Sequence, residues 1–346
     1  MSKSVDKYFS ATVNCFKISC LFIVGMVLLL VWFWPMNSEA QSKPRQYLLA
    51  LSKAEHTLTI VDAATFKVIA KVPVGPDPHE VVASSDGKTA YVSSYGGGRF
   101  HELDVIDIIN QKLLTKVDTD PLKGLHGLMF ANGKVWFTAE GSGSVGSYDP
   151  HTGKVDWSMT TGQDRTHMIY VTADGKKVYT TNVNSGTVSI LTDTFPGKWV
   201  AKVVHVSKGA EGFDVSPNGG ELWTAAATDG AISIIDLGSN KVSEKIDAKI
   251  FGANRLKFTP DGRRILVSSL SNGDLFIYDA QSRKELKRVN IGSGAAGILI
   301  EPNGSRAFIG CTADNYVAVV DLKTFQVINH IDVGNGPDGL AWAAQK

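Results

Sequence analysis

Cysteine is scarce. Three occur in 346 residues, Cys15, Cys20 and Cys311, and the first two fall in an N-terminal leader. A single remaining thiol excludes an internal disulfide framework and a thiolate metal cluster. Cys311 ends an apolar run, Phe308-Ile309-Gly310-Cys311-Thr312, and reads as a small half-buried residue with no chemical partner nearby. Net charge is nearly absent as well, with 35 Lys and Arg against 34 Asp and Glu. The excess lies in the first 40 residues, where Lys3, Lys7 and Lys17 outnumber Asp6 and Glu39, so the rest is balanced at zero. No run of Lys or Arg occurs, which argues against nucleic acid as a partner and against general attraction to an anionic membrane. Walker loops, paired zinc-finger ligands, Gly-x-Ser-x-Gly elbows and dinucleotide fingerprints are missing.

There is one long apolar run, Ile18 to Met36. Lysines precede it and Ser38-Glu39-Ala40 follows it. The small residues Ser38 and Ala40 suit a signal-peptidase site. The length of the run, with Trp32 and Trp34, equally suits an uncleaved membrane anchor. Residues 1–40 are therefore expected to be a signal peptide or anchor helix. On either reading residues 41–346 are exported, periplasmic or anchored facing away from the cytoplasm, and membrane contact is confined to that segment.

The remainder repeats itself about every 42 residues. Six copies carry an apolar strand, an Asp-Gly or Asn-Gly turn and a second strand; the turns are Asp86-Gly87, Asn132-Gly133, Asp174-Gly175, Asn218-Gly219, Asp261-Gly262 and Asn303-Gly304. Such dipeptides tolerate positive φ at both central positions, as a tight hairpin needs. A seventh copy begins at Pro337-Asp338-Gly339-Leu340 and stops before any turn, and its missing strands stand at 46–74. A period near 40 built from strands alone indicates a β-propeller. The expected fold is all-β: a seven-bladed, monomeric propeller over 41–346, closed by pairing Gly339–Ala343 with Tyr47–Ser52. Each blade is expected to hold four strands, as in Glu80–Ala83, Ala90–Ser94, Leu103–Asp107 and Lys112–Val117. The third strand usually ends in Asp (62, 107, 149, 236, 279 and 321), which reads as turn chemistry. Trp136 and Trp223 share a strand position and read as inter-blade core.

The second strands read Tyr91-Val92-Ser93-Ser94, Val178-Tyr179-Thr180-Thr181-Asn182 and Ile265-Leu266-Val267-Ser268. Turns recur as Ser216-Pro217-Asn218-Gly219 and Thr259-Pro260-Asp261-Gly262. Over nearly all of 46–346 these repeats resemble the YVTN (YncE-like) family of β-propellers. The resemblance implies the fold. Propellers of this kind include exported binding proteins, lactonases, and parts of amine dehydrogenases and nitrous-oxide reductase. Tyr95-Gly96-Gly97-Gly98 is similar to a loop of the lactonase-like branch.

Function in a repeat protein is sought where the copies differ. At the start of the seven innermost strands the residues are His79, His126, His167, Glu211, Asn254, Ala296 and Asp338. That position lies at one mouth of a propeller's channel, so these residues are expected to form a ring. Three of the chain's eight histidines occupy it. Neutral imidazoles with a carboxylate make a ligand set for Cu, Zn, Fe or Mn, and His79, His126, His167 and Glu211 are the candidate metal ligands. His56, His151, His205 and His330 share no repeat position and read as structural or exposed. Loops on the same face add Arg99, His101 and Glu102, with Glu140 and Asn182 beyond them. Arg165 and Arg255 flank the ring, and with Arg99 they suit an anionic substrate group. Arg99, His101, Glu102, Arg165 and Arg255 are thus the candidate catalytic residues. Two functions compete: a metal-dependent enzyme, hydrolytic and lactonase-like or oxidoreductive, acting on a small molecule; and a non-catalytic propeller binding a small molecule or envelope protein at its mouth.

Overall fold

The computed structural model describes residues 45–345. The expected leader over 1–40 lies outside them. The described chain forms twenty-eight strands. Blade 1 contributes β1 (Gln46–Ser52), β2 (Thr57–Asp62) and β3 (Val68–Pro73). Blade 2 holds β4 (Pro78–Ala83), β5 (Thr89–Ser94), β6 (Glu102–Asp107) and β7 (Lys112–Asp118). Blade 3 holds β8 (Leu125–Ala131), β9 (Lys134–Ala139), β10 (Ser144–Asp149) and β11 (Lys154–Thr160). Blade 4 holds β12 (Thr166–Val171), β13 (Lys177–Asn182), β14 (Thr187–Phe195) and β15 (Lys198–His205). Blade 5 holds β16 (Ala210–Val215), β17 (Glu221–Ala226), β18 (Ile232–Asp236) and β19 (Lys241–Ile246). Blade 6 holds β20 (Ala253–Phe258), β21 (Arg264–Ser269), β22 (Asp274–Asp279) and β23 (Glu285–Asn290). Blade 7 holds β24 (Ala295–Ile300), β25 (Arg306–Cys311), β26 (Tyr316–Asp321) and β27 (Gln326–Ile331), and β28 (Pro337–Ala344) returns to blade 1.

Each blade is a four-stranded antiparallel meander, and blade 1 has the order β28-β1-β2-β3. The closure predicted from the split repeat is therefore present: Tyr47 pairs with Ala343 and Leu48 with Trp342. The inner three strands of each blade alternate into two buried faces, which pack against the blades on either side. Leu49, Leu58, Ile60, Val92 and Ile106 share one such layer between blades 1 and 2. Each fully buried side chain of this size contributes about 1.5–3 kcal/mol. Trp136 and Trp223 are buried between blades, as expected. The fourth strands are mostly exposed, as in β7, where polar and apolar residues alike face solvent.

The third-strand aspartates do the turn work assigned to them. Asp62 Oδ1 accepts from the backbone N–H groups of Ala64 and Thr65 and from the Thr65 hydroxyl. Asp321 repeats the pattern with Lys323 and Thr324. The Asp/Asn-Gly turns differ from expectation. Only Asn132-Gly133 has positive φ at both positions, 50° and 74°. There Ala131 pairs directly with Lys134, leaving a two-residue loop. The other turns are longer, and only their glycine is left-handed. In blade 2 Gly87 N–H donates to Ser84 O at 2.9 Å, while Asp86 Oδ1 accepts from the Ser84 hydroxyl at 2.6 Å and from Lys88 N–H at 3.1 Å. A side-chain clasp replaces the second left-handed residue.

Candidate functional site

The ring positions are made by a bulge repeated in every innermost strand. In β4 two residues, His79 and Glu80, stand opposite one, Ser93, on β5. The same register shift occurs between Leu125 and Leu128, Thr166 and Ile169, Ala210 and Phe213, Ala253 and Leu256, and Ala295 and Ile298, and opposite Leu51 in β28. A bulge bends the strand and re-aims its side chains. Here it is stitched to its neighbour by buried hydroxyls. Ser93, Thr138, Thr181 and Ser268 donate to the carbonyls of His126, His167, Glu211 and Ala296 in the next blade, at 3.0, 2.5, 2.9 and 2.6 Å. The same hydroxyls accept from the bulge of their own blade, Glu80 N–H and Gly127 N–H among them. The Ser and Thr of the second-strand motif thus set the spacing of the ring.

A second device lies two residues earlier. The backbone there is left-handed in all seven blades. Five blades use glycine, Gly124, Gly209, Gly252, Gly294 and Gly336, with φ between 67° and 79°. Blades 2 and 4 use Asp77 (φ 51°) and Arg165 (φ 60°). Such a conformation is costly for a side chain and is retained where surrounding structure requires it. Both exceptions are charged, and both touch the histidine cluster.

The cluster is compact. Ring centroids of His79 and His126 lie 4.8 Å apart, and those of His126 and His167 lie 3.9 Å apart. Tyr95 packs on His79 at 4.6 Å and on His126 at 5.2 Å. His167 is held from both sides: Nδ1 meets Glu140 Oε2 at 2.8 Å and Nε2 meets Glu211 Oε1 at 3.1 Å. Glu140 also accepts from the Tyr95 hydroxyl at 2.5 Å and from Arg165 Nε at 3.1 Å. Asn254 Nδ2 donates to Glu211 at 3.3 Å. On the far side Lys53 Nζ lies 2.7 Å from His79 Nε2 and 3.3 Å from Asp338 Oδ2. Asp77 Oδ1 lies 3.3 Å from His79 Nδ1. Lys53, His79, Tyr95, His126, His167, Glu211 and Asp338 line a cavity of about 200 Å³, with Glu140 and Asp77 behind them.

The protonation states follow from the contacts. Burial pulls the pKa of His167 down, but its hydrogen bonds to Glu140 and Glu211 outweigh this and the net shift is upward. Each of its nitrogens faces a carboxylate, which favours the protonated ring. Burial raises Glu211, yet the hydrogen bond and charge of His167, with Arg255 and Arg165, hold it down at about 2. His126 goes the other way: full burial, then the charges of His167 and His79, hold it well below the ordinary histidine value. Its Nδ1 is buried with no hydrogen-bond partner among the described residues. A neutral imidazole with a free buried nitrogen, beside a second imidazole that must give up a proton to bind and two carboxylates, is a donor set for a divalent cation. His126, His167 and Glu140 each place one donor atom within 4.8 Å of the others.

Of the four expected metal ligands, His126 and His167 fall in this group. Glu211 reaches it only through His167, and Nε2 of His79 faces Lys53. Arg165 and Arg255 line the cavity. Arg255 also reaches across the channel to Glu80. Arg99, His101 and Glu102 stand elsewhere: Arg99 Nε donates to Gly96 O, His101 pairs with Asp118, and Glu102 pairs with Lys116. None of the three lines the mouth cavity. His56, His151, His205 and His330 are exposed. Sequence reasoning missed Lys53 and Tyr95 and gave Glu140 no ligand role. These come from loops after second strands, and the repeat frame fixes where those loops start but not where their side chains turn.

No known protein family matches the sequence, and no curated protein is similar to it. Solved structures do match the fold. A functionally unknown protein from Desulfotomaculum acetoxidans superposes with a TM-score of 0.71 at 12% identity, over 87% of this chain and 99% of that one. Hydrazine synthase from Kuenenia stuttgartiensis gives 0.68 at 18%, over 78% and 90%. A putative 6-phosphogluconolactonase from Bacteroides uniformis gives 0.70 at 15%, over 86% and 99%. Identities this low show the fold alone. The protein is a seven-bladed β-propeller whose channel mouth carries a His/Glu cluster.

Proposed function

We propose that the mouth is a metal centre of an exported, YVTN-type propeller that acts on a small molecule. A divalent Cu, Zn, Fe or Mn ion is held by His126, His167 and Glu140, with Glu211 behind His167. The observation that carries this reading is the convergence of three donor atoms, one each from His126, His167 and Glu140, in a cluster where His126 Nδ1 has no hydrogen-bond partner among the described residues. Three protein ligands would leave a coordination position free, the arrangement through which such an ion would polarise a carbonyl or activate water. Two of the structural neighbours are putative lactonases, and opening a lactone is chemistry that a Lewis acid beside a carbonyl serves. Lys53 and Arg165 border the cavity and orient a polar substrate.

One observation favours a second reading, a metal-free binding mouth. Each charge already has a partner: Lys53 with Asp338, Arg165 with Glu140, His167 with Glu211, Arg255 with Glu80. Elemental analysis of the full chain, purified without chelator, separates the two. On the metal reading the parent holds one ion per chain, and His126→Ala, His167→Ala and Glu140→Ala lose it, while His79→Ala retains most of it. A parent without metal after reconstitution with each of the four ions leaves the binding mouth as the function.

A further inference from the structure

The mouth has two unlike sides. The histidines, with Glu140 and Glu211, stand on blades 2 to 5. Across from them the cavity is bounded by Asn254, Leu270, Ala296 and Thr312 of blades 6 and 7. Arg255 is the charge on that side, and Glu80 engages it. A second set of equivalent positions underlies the contrast. The first residue after each second strand donates its N–H to the carbonyl of the left-handed residue that precedes its blade. In blades 1 to 3 this residue is Lys53, Tyr95 or Glu140, the groups that meet the histidines. In blades 4 to 6 it is Val183, Ala227 or Leu270, and in blade 7 it is Thr312. Val183 is buried, whereas Leu270 lines the mouth and is 44% exposed.

Phe251 stands beside Leu270. Leu270 N–H donates to Gly252 O at 2.9 Å, and the Ser269 hydroxyl donates to Phe251 O at 2.8 Å, so the two backbones are fixed side by side. Phe251 is 58% exposed. Among the described residues, the other exposed large apolar side chains lie on the outermost strands or at the hairpins leading into them, as with Leu114, Phe195 and Ile328. An apolar pair at the entrance of a polar cavity marks where the hydrocarbon part of a ligand leaves water.

Size sets how a ligand uses this edge. The mouth holds about 200 Å³, below the roughly 300–1,000 Å³ of pockets that enclose a drug-sized ligand. Downward, Glu80 and Arg255 close it off from a second chamber of about 290 Å³. A ring-sized head fills the mouth, and a larger substituent must pass over the rim. Two side chains fall far short of the about 1,200–2,000 Å² that a stable protein interface buries, so the occupant that fits is a small molecule.

We propose that the substrate is a lactone bearing a linear alkyl chain, with its ring in the mouth and its chain laid over Leu270 and Phe251. The lactone head rests on the metal reading of the mouth; the alkyl chain rests on the rim alone. In the reaction the oxygen of water bonds to the ring carbonyl carbon and the ring C–O bond breaks. The ring oxygen takes the proton that water gives up, leaving a hydroxy acid.

The probes are γ-decalactone and γ-hexalactone, which share the ring and differ by four methylenes. Calorimetry on the metal-depleted full chain should show one γ-decalactone per chain, bound at least tenfold tighter than γ-hexalactone. Phe251→Ser with Leu270→Ser should reduce that preference at least fivefold. Phe251→Tyr with Leu270→Met keeps the apolar surface and should retain it. Circular dichroism establishes folding; if the serine pair does not fold, Phe251→Ser alone carries the test, with the preference falling at least twofold. The proposal is overturned if γ-decalactone shows no saturable binding, if it binds no tighter than γ-hexalactone, or if the serine variant keeps the parent's preference. Hydrolysis and metal content of the parent, reconstituted with each of the four ions, test the head separately. A preference for the longer chain without metal uptake or turnover overturns the metal reading and the lactone head, and supports the rim as the seat of an alkyl chain.

Discussion

Glu80 and Arg255 meet across the axis of the ring. They stand 175 residues apart, in blades 2 and 6, and their side chains are only 12% and 5% exposed. Both occupy the second bulge position. In blades 3, 5, 7 and 1 that position is Gly127, Gly212, Gly297 and Gly339, where an added Cβ would come within 2.1–2.7 Å of the next blade's backbone. The ring therefore tolerates few side chains at this level, and two of them form a bar between mouth and chamber.

Breaking this bar from one side should be expensive. Arg255→Ala leaves Glu80 buried and unpaired, a change of about 3–5 kcal/mol. The double substitution Glu80→Leu with Arg255→Met removes both charges and should recover most of that loss. Urea melts of the two singles and the double give the coupling; a double as unstable as the sum of the singles would contradict the pairing.

Asp77 and Arg165 hold left-handed backbone where other blades have glycine. Arg165→Gly removes strain of about 1–2 kcal/mol and loses a part-exposed ion pair worth about 0–1 kcal/mol. Added freedom in the unfolded chain offsets about 0.5–1 kcal/mol more. Stability should stay within about 1 kcal/mol of the parent, while the mouth, with Glu140 no longer held, should lose metal affinity. The same holds for Asp77→Gly through His79, with a smaller effect on metal. Thermal melts and metal titrations on one sample check this. A drop in stability above about 2 kcal/mol would assign these residues to the fold rather than the site.

The pH response has a defined sign. Glu211 is lowered from 4.5 to about 2, so its carboxylate stabilises the fold fully above pH 4.5, and that share is lost as pH falls toward 2. His167 is raised, so its share is complete below the ordinary histidine value near 6.5 and is lost as pH rises through its folded pKa. His126 is lowered and acts oppositely, its share being lost as pH falls from 6.5. In metal-free protein the stability gap between parent and Glu211→Gln should therefore shrink between pH 4.5 and 2. Melting temperatures measured across that range test it; a constant gap would mean that Glu211 is not held ionised by His167.

Removing the last eight residues, Gly339 to Lys346, deletes the strand that covers β1. Leu48, Leu49 and Ala50, wholly buried in the closed ring, would stand at an open edge, a template for aggregation. Light scattering and thermal melts should show an aggregating or unfolded product. A truncated chain that melts like the parent would refute the closure.

Much of this architecture was legible because a propeller writes its geometry once per blade. The turns marked the blades, the split copy marked the closure, and the repeat frame put His79, His126, His167 and Glu211 in register. What stayed hidden was whatever departs from the frame. The bulge marks itself only by glycine at its second position in four blades, Gly127, Gly212, Gly297 and Gly339, and that mark does not show that Glu80 and Arg255 meet across the axis. Glu140 and Tyr95 lie beside two single 3-10 turns, Glu140–Ser142 and Gly96–Gly98, whose direction the spacing does not fix. Arg99 and His101 belong to the same blade 2 loop as Tyr95 and Glu102 opens β6, but all three end against their own blade.

The pairing of β28 with β1 also orders events in time. Blade 1 borrows its innermost strand from the far end of the chain, so a ribosome that has made six blades has still made an open arc. The arc becomes a ring only when Leu340 to Ala344 leave the ribosome and find Gln46 to Ala50. Until then His79 lacks Asp338 and the mouth has a gap in its wall. Assembly of the site thus waits for the last strand of the ring, and any process that must handle this chain before it locks acts on an open arc.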